Sequence, residues 1–170
     1  MRYAAAEDRV QNFFKGFFQF GYVTRDADAA VAAFRAKFGP VEFMVNEPPA
    51  IDGRPAPTRR IALAWIDEVM TEIIEPDPMQ RTIYDDHVPA LAGPIRLHHF
   101  GYLIDDHQAM LHRLRGMGYD VPMAGSMPGV LDYSYADTRR DLGLWSEFIR
   151  LEEAGKAFFD AVPRTITGNS

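Results

Sequence analysis

Four side chains of this 170-residue chain, all of types that can hold a divalent cation, fall into two pairs: Gln19 with His99, and Glu72 with Glu147. One imidazole, one amide oxygen and two carboxylates make a donor set of hard and borderline character. It suits Zn2+, Mn2+, Co2+, Ni2+ or Fe2+, and it serves softer ions poorly because no thiolate is available. Cysteine is absent, which also excludes disulfides and a thiol nucleophile. Four protein donors leave room in an octahedron for two waters or for two oxygens of a substrate. A substrate with neighbouring oxygens would chelate the ion, which stabilises the charge that develops on proton loss, and a nearby carboxylate would take the proton.

The pairing comes from a duplication. Residues 19–26, Gln-Phe-Gly-Tyr-Val-Thr-Arg-Asp, return 80 positions later at 99–106 as His-Phe-Gly-Tyr-Leu-Ile-Asp-Asp. Phe20/Phe100, Gly21/Gly101, Tyr22/Tyr102 and Asp26/Asp106 are identical, and identity resumes at Ala29/Ala109 and Arg35/Arg115. Residues 70–74 align with 145–149 at an offset of 75, which sets Glu72 on Glu147. Two copies are too few for a solenoid, so one domain with a duplicated module is expected. Strand alternation puts Glu72 on a face with Met70 and Ile74, and Glu147 on a face with Trp145 and Ile149. A carboxylate between large apolar neighbours is costly if that face is buried. A cation would neutralise it.

The elements that must position these groups can be read along the chain. Residues 1–16 form an N-terminal extension, with Val10, Phe13 and Phe14 at helical spacing. The first module spans 17–76. It holds a strand at 17–24, with Gln19, Gly21 and Val23 on one face and Phe18, Phe20 and Tyr22 on the other. A helix capped by Asp26 or Asp28 and stopped by Gly39-Pro40 follows, then strands at 41–45, 59–66 and 68–75. The Pro-rich stretch 46–58 is a long loop of a kind that is often functional. A connection covers 77–94. The second module, 95–152, repeats the order: a strand at 95–104, a helix at 106–117, and strands at 119–122, 130–135 and 144–151, with a loop at Gly125, Pro128 and Gly129 and a polar turn at 136–143. A closing helix at 156–162 and a frayed tail complete 153–170. The fold class is therefore α+β, two βαβββ modules whose sheets must curl together around a shared cavity, because one alone leaves a sheet face uncovered.

Bulk composition narrows the function. Hydrophobic residues at 47% and charged residues at 25% describe a globular chain. A net charge of −6 argues against general nucleic-acid binding, which wants a basic stripe. No apolar run approaches a membrane span and no signal-peptide core is present, so a soluble cytoplasmic protein is expected. Its expected partners are a small-molecule substrate and a second copy of itself in a homodimer.

The paired modules, the run 98–102 (His-His-Phe-Gly-Tyr) followed by Asp105-Asp106, the run 72–76 (Glu-Ile-Ile-Glu-Pro), and Gly143 four residues before Glu147 near the Asp137-Thr138 turn resemble the vicinal oxygen chelate superfamily. That superfamily includes glyoxalase I, methylmalonyl-CoA epimerase, extradiol dioxygenases and bleomycin-resistance proteins. The resemblance covers residues 17–152. It implies that Gln19, Glu72, His99 and Glu147 are the metal ligands, that Glu147 is the first candidate for catalytic base and Glu72 the second, and that the activity is isomerisation, epimerisation or lyase chemistry. The ligand identities are similar to those of animal-type glyoxalase I, while the 72–76 and His-His runs are closer to epimerase-like members. The glutathione-anchoring pattern of glyoxalase I is missing. Two alternatives remain: a resistance-type binding protein, against which the four retained donors speak, and a ring-cleaving dioxygenase, which usually has two His and one Glu at iron.

The other polar and aromatic residues have plainer expected roles. His98 is expected to face away from His99 and pack there. His87, His107 and His112 are expected at the surface, Glu68 and Glu75 solvated, and Arg59 and Arg60 in surface ion pairs. Tyr133, Tyr135, Met123, Met127 and Trp145 are read as core or as cavity wall, and Phe13, Phe14, Phe17 and Phe18 as packing.

Overall fold

The computed structural model describes residues 13–50 and 55–168. The expected N-terminal helix lies outside the described residues except for 13–16, which form a turn. The first copy comprises β1 (Phe17–Thr24), α1 (Ala27–Phe38), β2 (Met44–Asn46), β3 (Thr58–Ile66) and β4 (Val69–Pro76). The second comprises β5 (Ile95–Leu103), α2 (His107–Gly116), β6 (Met123–Met127), β7 (Leu131–Ala136), the short α3 (Arg139–Leu142) and β8 (Trp145–Leu151). After these come α4 (Glu153–Ala161) and β9 (Arg164–Thr165). Among the described residues the strands form one curled mixed sheet in the order β2-β3-β4-β1-β5-β8-β7-β6, with β9 added to β3. No described helix is long and apolar enough to cross a membrane.

The duplication is visible in the register. The antiparallel seam β1–β5 pairs Gln19 with Gly101, Phe20 with Phe100 and Gly21 with His99, so the pseudo-twofold axis passes between Phe20 and Phe100. Parallel pairing then sets Gly21 beside Glu72 on β4 and Gly101 beside Glu147 on β8. The seam skips one residue in each strand, Phe18 in β1 and His98 in β5. These positions are equivalent in the repeat, and each immediately precedes the polar residue of its copy. A bulge adds a residue to one strand and re-aims side chains beside it.

The two helices cover the convex face. The α1 residues Ala30 and Val31 pack on Ala62, Ala64 and Ile73, and the α2 residues Met110 and Leu114 pack on Tyr102, Ala136 and Phe148. Each helix begins at a repeated aspartate, whose side chain accepts from the backbone N–H three residues on: Asp26 from Ala29 and Asp106 from Ala109, both at 2.9 Å. Such a cap is worth about 1 kcal/mol. The helix starts are therefore set by local chemistry that the duplication preserved.

Several expectations need correction. The strand expected at 119–122 does not form; β6 starts at Met123 and pairs with β7, so Gly125 lies in a strand. A Cβ there would lie 2.5 Å from the Tyr133 ring, so the glycine answers a cross-strand aromatic and no turn is required. The strand expected at 41–45 is confined to Met44–Asn46, because Val41 and Phe43 turn into the core under α1. The tail is tied down rather than frayed: β9 pairs with β3, and Asp67 accepts the Thr167 backbone N–H at 2.8 Å. Glu75 is buried. It accepts the Ala27 N–H at 3.0 Å, at the start of α1, and meets Arg59 at 3.5 Å. His107 is likewise buried, in the first turn of α2.

Candidate metal centre

The concave face carries two apolar clusters with a polar centre between them. On β4, Met70 joins one cluster and Ile74 the other, with Glu72 between; on β8, Ile149 and Trp145 divide in the same way around Glu147. The Met70–Ile149 cluster also holds Phe159 and Val162 from the C-terminal segment. The Ile74–Trp145 cluster holds Tyr84, packed with Ile83 and Val88 from the connection. Chain segments outside the duplicated modules thus close both sides of the centre.

Gln19, Glu72, His99 and Glu147 are all buried there, with Gln19 and His99 no more than 1% exposed. Nε2 of His99 stands 3.1 Å from Oε2 of Glu72 and 3.1 Å from Oε2 of Glu147. One ligand atom from each of these three residues lies within 4.8 Å of the others. Neither carboxylate contact has the alignment of a hydrogen bond. Nε2 of His99, Oε2 of Glu72, Oε2 of Glu147 and Oε1 of Gln19 are all buried without a hydrogen-bond partner. Buried polar atoms are rarely left so, and four from one expected donor set need a common partner. The two carboxylates balance the charge of a divalent ion, and the nitrogen and oxygen donors match its first-row members. The residues fit such an ion.

The repeated glycines make this convergence possible. A Cβ on Gly21 would lie 1.8 Å from Cε1 and 2.1 Å from Nε2 of His99, so the imidazole occupies the space above β1 that a side chain would fill. On the other side of the axis, a Cβ on Gly101 would lie 2.3 Å from Oε1 of Gln19. Each copy's glycine therefore receives the other copy's polar side chain. The glycines belonged to the recognised repeat, but their reciprocal role needs the pairing of β1 with β5.

Burial opposes charge on His99 more than any other influence, yet Glu147 and Glu72 together outweigh it and push its pKa up to about 9. Burial raises the pKa of Glu72, with His99 drawing it back and the charge of Glu147 adding to the rise. In the metal-free protein His99 is therefore an imidazolium at neutral pH. Its stabilising contribution is full below the ordinary histidine value of 6.5 and fades as pH rises through about 9. A cation at Nε2 must displace that proton. Metal binding between pH 7 and 8.5 is expected to release about one proton, with affinity rising about tenfold per pH unit. Calorimetric titration in two buffers of different ionisation enthalpy reads this directly, and a buffer-independent heat would show that His99 is not displaced.

Alternation misplaced Phe18, which joins the Met70–Ile149 cluster instead of the face of Tyr22, and with it the equivalent His98. The bulge turns it onto the concave side, where its ring stacks on Trp145 at 5.9 Å and meets Tyr84 at 4.9 Å. Burial chiefly, then the neighbouring His99, hold its pKa down to about 2. Tyr135, 5.1 Å from the His99 ring, Tyr84 from the connection, and His87, which was expected at the surface but is half-buried with its ring 4.8 Å from His98, make up the surround. Nothing in the chain singled out Tyr84, whereas adjacent histidines at 98 and 99 were a visible signal. Among the residues with plainer expected roles, Arg60 does form ion pairs, with Asp28 and Glu47. His112 is exposed.

A curled sheet of duplicated βαβββ units with a buried Glu-His-Glu centre at its axis defines a class, and the sequence agrees. Residues 18–136 match the Glyoxalase/Bleomycin resistance protein/Dioxygenase superfamily, and the chain belongs to that superfamily. Among solved structures, it is similar to methylmalonyl-CoA epimerase from Mycobacterium tuberculosis, with a TM-score of 0.57 and 16% identity over 84% of this chain and 91% of that one. It is similar also to a Streptomyces coelicolor methylmalonyl-CoA epimerase in complex with 2-nitronate-propionyl-CoA, with a TM-score of 0.57 and 16% identity over 82% and 96%. A hypothetical protein from Bacillus halodurans gives a TM-score of 0.58 at 13% identity over 81% and 94%. At such identities the likeness is one of fold. No curated protein matches the chain in sequence.

Proposed function

We propose that this protein is a metal-dependent epimerase or isomerase, with lyase chemistry as the close variant, acting on a small oxygenated substrate by removing a proton beside a carbonyl. Gln19, Glu72, His99 and Glu147 are the residues that would hold the ion. When bound, the ion supplies Lewis-acid stabilisation to an oxygen that gains negative charge. Glu147 is assigned as the base that accepts the proton and Glu72 as the second carboxylate, able to return one. Two carboxylates reaching one centre from opposite halves of the sheet suit a reaction that takes and restores a proton. Burial between apolar clusters excludes water and strengthens the pull of each charge on the reacting atoms. Met70, Ile74, Ile149 and Trp145 flank the carboxylates and favour a substrate with a hydrophobic or aromatic portion. The observation that carries this reading is the convergence of four buried donor atoms from both copies, none with a hydrogen-bond partner.

The test is proton exchange. The protein is loaded in turn with Zn2+, Co2+, Ni2+, Mn2+ and Fe2+ and incubated in D2O with methylmalonyl-CoA, which bears the name of the similar solved enzymes, and with aromatic α-hydroxy ketones. Deuterium incorporation at the carbon beside the carbonyl, seen by NMR, is expected with at least one pair, to depend on metal, and to be lost in Glu147→Gln. Tight binding without exchange in any pair would replace the enzyme by a binding protein.

A further inference from the structure

We propose that His98 is a positioning residue for His99: it holds the proton on Nδ1 of His99, so that Nε2, toward Glu72 and Glu147, is the nitrogen that gives up its proton to an ion. This rests on the metal reading above for its affinity arm only. The geometry forms a chain of two contacts. Nε2 of His98 lies 3.1 Å from the carbonyl oxygen of Ile83 in the connection. A carbonyl oxygen only accepts, so that nitrogen carries the hydrogen. Nδ1 of His98 lies 3.1 Å from Nδ1 of His99. A neutral imidazole holds one hydrogen, already assigned to Nε2, so Nδ1 of His98 accepts and Nδ1–H of His99 donates. The ligand nitrogen of His99 is then Nε2. That atom faces both carboxylates.

The arrangement depends on the bulge at position 98. With regular alternation the two histidines would point to opposite faces, and no such bond could form. His98 is fully buried among His87, Tyr84, Tyr135 and Trp145, so its ring has little freedom to turn. The connection between the copies, which supplies Ile83 and Tyr84, therefore belongs to the metal centre without touching the ion. Partners that orient a ligating imidazole typically change metal affinity about 10–100-fold when removed.

Two measurements decide the matter. In uniformly 15N-labelled native protein, NMR is expected to show a scalar coupling across the Nδ1–H···Nδ1 bond, with His98 Nδ1 unprotonated and His98 Nε2 protonated, both metal-free and with Zn2+. A proton on His98 Nδ1, or no coupling, overturns the proposal. Second, Zn2+ affinity is compared by chelator competition among native protein, His98→Leu and His98→Asn. Leucine removes the acceptor and is expected to weaken binding about 10–100-fold. Asparagine places its Oδ1 where Nδ1 was and is expected to restore affinity to within a few-fold of native. Equal losses in both variants at similar metal-free melting temperature would mean packing alone is at work and would overturn it. If the native protein takes up no metal, the proposed function fails, while the coupling in metal-free protein still decides the role of His98.

Discussion

His99→Ala is expected to weaken divalent-metal binding by more than about 100-fold, since loss of outer partners alone costs 10–100-fold. The same substitution leaves Glu72 and Glu147 buried, facing one centre with no positive group between them. Breaking a buried pair by removing one partner typically costs about 3–5 kcal/mol, because the remaining charge stays unpaired. The metal-free variant should therefore be less stable at pH 7 by about that amount, and should recover part of the loss on acidification as Glu72, whose pKa burial already raises, takes up a proton. Glu147→Gln separates the two effects. It removes a donor, so the metal is lost, but it also reduces the carboxylates around His99 to one and keeps the volume. Its metal-free stability is expected to equal or exceed the parent's. Denaturant unfolding and elemental analysis of the three proteins check both statements. Unchanged metal content in His99→Ala would remove the centre proposed here.

The second large effect is expected at a residue with no side chain. Gly21→Ala would place a Cβ 2.1 Å from Nε2 and 2.3 Å from Nδ1 of His99, far inside contact distance. The ring cannot retreat freely, because Nδ1 is held by His98 and Tyr135 packs edge-on behind it. Overpacking of this kind costs about 1–3 kcal/mol and sometimes more, and the upper end or beyond is expected here, together with loss of metal binding. Gly101→Ala should be milder. Its nearest atom is the movable end of Gln19, although Cβ of Gln19 at 2.8 Å limits the relief. Gly116→Ala, in α2 with nothing within 4 Å, serves as the control and should stabilise by about 0.5–1 kcal/mol. A thermal melt of all three in one buffer ranks them. Gly21→Ala melting with the control would refute the close packing of His99 on β1.

Much of the fold was legible along the chain because the signals involved are local. Aspartates 26 and 106 cap helices through bonds three residues long, and the alternation in 70–74 and 145–149 placed both glutamates on the inner face. The repeat offset paired Gln19 with His99 before any contact was known. What resisted reading were places where a distant strand overrode the local pattern. Gly125 read as part of a loop with Pro128 and Gly129, yet β7 supplies Tyr133 to lie across that glycine. Residues after Pro163 read as a frayed tail, yet an open stretch of β3 accepts them.

The duplicated sequence was sufficient to show two like halves, the βαβββ order of each, and the pairing of Gln19 with His99 and of Glu72 with Glu147, since identity at equivalent positions requires no knowledge of contacts. Folding settled the rest: the bulges at Phe18 and His98, the glycines that admit the opposite copy's side chain, and the connection whose carbonyl orients His98. Each of these depends on the register between β1 and β5, whose paired residues are about 80 positions apart. A bulge carries no fixed local signature. It exists only when two strands are laid side by side, and a single extra residue is enough to turn His98 from the outer face toward the centre.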